Sequence, residues 1–113
     1  MINPSLKRQL LRTFSQMLED LRNQKEIETF LIDFFDNKEL EKYTKRLAVA
    51  YWLKKGRDKA NIMQNLHASL GDVKRTKKLL NKEGIKLALK KIEAEEWANQ
   101  WSEKIKKFTK SNR

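Results

Sequence analysis

A chain of 113 residues with only three glycines and one proline has little to stop a helix once it has started. Leucine, lysine, glutamate and alanine, which suit helices, are abundant in the rest. No segment alternates apolar and polar residues as a half-buried strand would. The expectation is an all-α fold of about six helices in one domain, residues 1–113.

The elements can be placed by their caps and apolar spacing. Asn3-Pro4 is an N-cap followed by proline at the first helical position. Leu6, Leu10, Phe14, Met17, Leu18 and Leu21 follow at helical spacing, to about Arg22. Asn23-Gln24 breaks this helix. A second, about Lys25–Phe35, carries Ile27, Phe30, Leu31, Phe34 and Phe35. Asp36 and Glu39 have the spacing of a capping box. A third helix, about Lys38–Lys55, has a wide apolar band that suits a central position, and Gly56 stops it. Asp58 caps a short helix, about Lys59–Leu66. After the turn His67-Ala68, Ser69 caps the next, with Asp72 three residues on as a short form of the capping box. Val73, Thr76, Leu79 and Leu80 form its inner face. Gly84 is expected to break it, and a last helix runs from Ile85 to about Phe108, with residues 109–113 frayed.

Charge is divided unevenly. Residues 1–40 hold six Lys/Arg against seven Asp/Glu, a net of −1, and residues 41–113 hold twenty against eight, a net of +12. A neutral part and a basic part suggest assembly in one and contact with a polyanion in the other. With no cysteine and a single histidine, His67, neither disulfides nor a conventional zinc site can form. Glu93, Glu95, Glu96 and Glu103 are interleaved with lysines on the last helix, so pairs such as Glu103–Lys107 read as i,i+4 supports. There is no glycine-rich phosphate loop and no nucleophile elbow. A non-enzyme without metal or cofactor is expected. No run approaches the ~18 apolar residues of a membrane span, and no signal peptide is apparent; a cytoplasmic location is expected.

Two short helices joined by a few residues, the second basic and capped, make the helix-turn-helix pattern. A free helix N-terminus offers N–H groups to phosphate oxygens, and an apolar inner face lets the second helix dock on the first. Lys54, Lys55, Arg57 and Lys59 are candidate phosphate grips, and Ser69, Leu70, Gly71, Lys74, Arg75, Lys77 and Lys78 are candidates for the groove.

"ELEKYTKRLAVAYWLKKG" followed by "NIMQNLHASLGDVKRTKKLLN" resembles the Trp-repressor-like family of small bacterial helix-turn-helix proteins. The matching residues are Glu39, Leu40, Arg46, Leu47, Val49, Ala50, Leu53, Gly56, Ile62, Ala68, Ser69, Val73, Arg75, Lys77, Leu80 and Asn81. The resemblance implies a transcriptional regulator that binds double-stranded DNA as an intertwined homodimer, its N-terminal helices wrapping the partner. Residues 1–56 would then dimerise, 57–81 form the helix-turn-helix and 85–108 the long last helix. Leu6, Leu10, Phe14, Leu18, Leu21, Phe30 and Phe34 are the candidate interface.

The chain departs from the family pattern at His67, where glycine is usual, at Leu70-Gly71-Asp72, and in its long last helix. Arg46 and Arg75 match the two arginines that sandwich the indole in the repressor proper. Thr76 and Leu79 replace smaller residues and add bulk there. Neither tryptophan nor another small effector is the expected partner; Arg46 and Arg75 are the candidates if one binds. Trp97 and Trp101 are expected in an apolar seam with Ile105 and Phe108. Two rivals remain. One is a protein-interaction module with a relic helix-turn-helix. The other is a non-specific nucleic-acid binder, which needs only the charge.

Overall fold

The computed structural model describes the backbone of residues 1–111 and the side chains of residues 1–96 and of Asn99. Six helices follow in order: α1 Pro4–Asp20, α2 Gln24–Phe34, α3 Asn37–Lys54, α4 Lys59–Leu66, α5 Leu70–Leu79 and α6 Glu83–Ser111. There is no strand among the described residues. The chain divides into two compact units, Met1–Tyr43 and Thr44–Arg113, with the division inside α3.

Side-chain caps start five of the six helices. Asn3 Oδ1 accepts the Leu6 N–H at 2.8 Å, and Asn23 Oδ1 accepts that of Glu26 at 3.0 Å. Asp58 Oδ1 accepts the Asn61 N–H at 2.7 Å. Asp36 and Glu39 form a reciprocal box, with bonds of 2.8 and 3.1 Å. A second box joins Ser69 and Asp72 at the head of α5. Each satisfies amide donors that have no partner inside the helix.

The boundaries shift in three places. α1 stops at Asp20 rather than Arg22, because Leu21 turns to an extended conformation and donates back to Leu18. Gly84 does not break α5. The turn is made instead by tight bonds, Leu80 N–H to Lys77 and Lys82 N–H to Leu79, and Gly84 lies within the first turn of α6. α6 also runs past Phe108 to Ser111, beyond the point where fraying was expected. The stripe Trp97, Trp101, Ile105, Phe108 and the pair Glu103–Lys107 lie outside the residues whose side chains are described.

The first unit is held by aromatic contact. Phe30 stacks on Phe34 with centroids 5.0 Å apart, and Phe14 meets these rings at 5.9 and 5.7 Å. Phe35 bridges Phe34 and Tyr43 at 5.2 and 5.7 Å. Among the described residues, none in α1 or α2 is buried. Leu6, Leu10 and Phe34 are exposed, whereas Phe14, Leu18, Leu21 and Phe30 are half-buried. Beside the rings lies a groove of about 730 Å3 lined by Leu21, Thr29, Phe30, Asp33 and Phe34. The wide apolar band of α3 is buried only at Val49 and Ala50; Tyr43 and Leu47 are exposed.

The second unit has a true core. Val49, Ile62, Ala68 and Val73 are buried together, and Trp52, Leu53, Met63 and Leu66 pack around them. Thr76 and Leu89 are also buried. Two left-handed residues steer the chain around this core. At the end of α3, Gly56 (φ 85°) closes a Schellman turn in which Gly56 N–H donates to Leu53 and Arg57 N–H to Trp52. At the end of α4, His67 (φ 52°, ψ 43°) takes the position where glycine has no steric cost, and Ala68 N–H donates to Met63. Lys45 Nζ donates to the His67 carbonyl at 3.2 Å and pins this turn to α3.

His67→Gly should raise stability by about 0.5–1 kcal/mol, the left-handed cost relieved less the extra freedom of glycine in the unfolded chain. His67→Val should lower it. The Lys45 bond to the backbone carbonyl survives in both, so equilibrium denaturation of the pair isolates the backbone term.

Candidate nucleic-acid interface

The residues at issue are set by α4 and α5. Val73 and Thr76 face inward from α5, with Leu79 and Leu80 half-buried beside them. That orientation leaves Leu70, Gly71, Asp72, Lys74, Arg75, Lys77 and Lys78 exposed. Lys74, Lys77 and Lys78 therefore share the outer surface of one ten-residue helix. Lys77 and Lys78 lie in its last turn, where positive charge is favoured by the helix dipole.

The head of α5 is tightly bonded. Ser69 Oγ accepts the Asp72 N–H at 3.1 Å, and Asp72 Oδ2 accepts the Ser69 N–H at 3.4 Å. The other oxygen of Asp72, Oδ1, accepts from Arg75 Nη2 at 2.6 Å. These bonds, that from Arg75 foremost and then those with Ser69, hold the Asp72 carboxyl below the usual aspartate range. Arg75, matched by resemblance to a corepressor arginine, thus has its guanidinium on its own helix. The second matched arginine, Arg46, lies on α3.

The preceding segment carries the candidate phosphate grips. Arg57 lies over the Trp52 ring, its Cζ 3.8 Å from the centroid, with Nη1 donating to Asn61 Oδ1 at 3.5 Å. Trp52 and Arg57 are the two positions that a Schellman turn brings together, usually through an apolar contact. Here the contact is a cation on an indole face. Lys59 is exposed at the start of α4. Lys54 and Lys55 reach back to Glu93 on α6, at 3.4 and 3.9 Å, and Lys55 also lies 5.4 Å from the Tyr51 ring centroid.

Three of these relations were missed from sequence. Asp72–Arg75 has the i,i+3 spacing of a helix ion pair and could have been found. Trp52–Arg57 depends on the left-handed Gly56 between them, and Glu93 is 39 residues from Lys54; neither leaves a local signal.

Two short helices about a tight turn, the second docked by its apolar side and cationic outside, define a helix-turn-helix protein. A family model described as Trp repressor protein matches residues 9–93. The chain belongs to the Trp repressor family, which is one of DNA-binding regulators rather than enzymes. No curated protein and no solved structure matches it. Among the described residues, no helix is long and apolar enough to cross a membrane.

Because its folded-state pKa is depressed, Asp72 adds to stability above the usual aspartate range, and this is lost as pH falls through the lowered value. In a carboxyl-detected NMR titration Asp72 should protonate below that range, with the Ser69 amide shifting in step. Arg75→Gln should bring the midpoint back up.

Proposed function

We propose that this protein is a sequence-specific transcriptional regulator in which a homodimer presents two copies of α5 to successive major grooves of double-stranded DNA. The observation that carries the reading is the outer face of α5, which holds Lys74, Lys77 and Lys78 together and exposed on a helix docked through Val73 and Thr76. Arg57, Lys59, Lys54 and Lys55 would contact phosphates around it. Ser69, Leu70 and Gly71, at the N-terminal end of the helix, would lie nearest the base edges. Family membership supports the DNA-binding role.

Support for a dimer comes from the first unit. Seventeen residues of α1 and eleven of α2 bury none of their apolar side chains, and Leu6, Leu10, Leu11, Ile32 and Phe34 are exposed. An isolated helix as short as α2 is marginal in water, and an exposed apolar face this extensive marks an interaction surface. Burial against a second copy supplies the missing core. Leu10→Glu should then shift the protein to monomer in sedimentation equilibrium and weaken DNA binding; a monomeric wild type would sink the dimer.

The direct test is selection of duplexes from a random pool at physiological salt with full-length protein. A palindrome with half-sites about one helical turn apart is expected. Lys77→Glu should weaken binding to all sequences and reduce the slope of log affinity against log salt by about 1 for each phosphate left without its cation. Binding without an enriched motif would leave a purely electrostatic grip.

A further inference from the structure

The head of the recognition helix holds an arrangement that a simple cationic grip does not need. Arg75 and Asp72 together carry no net charge. A tied pair of this kind adds little to counterion release, the source of non-specific affinity, and an exposed i,i+3 pair adds little to stability. Lys74, Lys77 and Lys78 already supply positive charge. What Asp72 gives Arg75 is direction.

The geometry makes that direction specific. Arg75 is the sixth residue of α5, yet its guanidinium folds back toward the first turn, where Nη2 meets Asp72 Oδ1 at 2.6 Å. It lies there beside Gly71, where an added Cβ would meet the same nitrogen at an ordinary contact distance of 4.0 Å. Asp72 is itself fixed through its second oxygen to the Ser69 N–H. The Arg75 side chain is nonetheless 73% exposed, so the rest of the fork is open. An arginine fork braced by a carboxylate, at the end of a recognition helix that meets base edges, suits two parallel acceptors in one plane. In the major groove guanine O6 and N7 provide them.

Resting on the DNA-binding reading above, we propose that Arg75 reads one guanine in each half-site and that Asp72 is its positioning residue. The aspartate at the DNA-facing end of the helix then has a use despite its repulsion of phosphate.

The test is duplex selection with wild-type protein, Arg75→Gln and Asp72→Asn, followed by affinities for duplexes that differ only at the guanine pair; melting curves confirm that each variant folds. The wild type should enrich a guanine at a symmetric position and prefer it about ten- to hundred-fold. Arg75→Gln should lose that preference alone, or turn it to adenine, whose edge suits an amide. Asp72→Asn should move two readouts in opposite directions: affinity for unrelated DNA rises as a negative charge is removed, while discrimination at the guanine falls. A merely structural role for Asp72 would not separate them. An enriched palindrome unchanged by Arg75→Gln would overturn this inference and leave the regulator standing. No enriched motif with any of the three proteins would overturn the regulator itself, and the inference with it.

Discussion

What α5 shows to solvent depends on what Val73 does on its other side. Ten residues with four cations among them would not hold a helix alone in water. Val73 closes a small core with Ile62, Val49 and Ala68, and Thr76 is buried one turn further along. Burying an aliphatic side chain of this kind stabilises by about 1.5–3 kcal/mol, more than the repulsion among exposed lysines removes. The same packing fixes the rotation of the helix. With Val73 and Thr76 inward, no rotation remains that would hide Lys74 or Lys78. The capping box then fixes the start of the helix, and His67 fixes the path of the chain into it. Core, cap and turn thus determine which side chains reach a ligand.

The two units differ in kind. Around Val49 and Ile62 the chain has an interior. In α1 and α2 it has a cluster of rings and an apolar stripe, and no buried residue among those described. The charge follows the same division, near neutral in residues 1–40 and strongly positive beyond. Apolar surface without charge favours protein contact, and charge over a compact core favours a polyanion. A regulator that dimerises through one part and binds DNA through the other needs both. The proposed second copy accounts for α1 and α2 without altering the core that supports α5.

Much of this was legible because it is local. Asn3, Asp36 with Glu39, Asp58, and Ser69 with Asp72 all act over three residues, so their caps follow from spacing alone. The inner face of α5 followed from its helical period, and the turn at His67 from the glycine that the family pattern usually carries there. Elsewhere the outcome rests on bonding and packing that spacing does not carry. By its identity Gly84 reads as a breaker, whereas the turn before α6 is set by backbone bonds among Lys77, Leu79, Leu80 and Lys82. The apolar band of α3 announced a central helix, but sequence period cannot say which part of a band finds a partner within one chain. Arg57 on Trp52 required the path through Gly56, and the reach of Glu93 to Lys54 and Lys55 required the fold.

Ion pairs leave the net charge of +11 unchanged, but they decide which cations are free to act. Lys54 and Lys55 share Glu93, Lys86 lies 3.7 Å from Glu83, and Arg75 is tied to Asp72. Arg57, Lys59, Lys74, Lys77 and Lys78 have no carboxylate partner among the described residues. All five lie in the helix-turn-helix or on the turn that leads into it. Arg57 is also held against an indole, so the proposed contact with a phosphate would cost less side-chain freedom. These five unpaired cations lie together on the segment that core, cap and turn hold in place. Attraction of a polyanion and its orientation are then set by the same few residues.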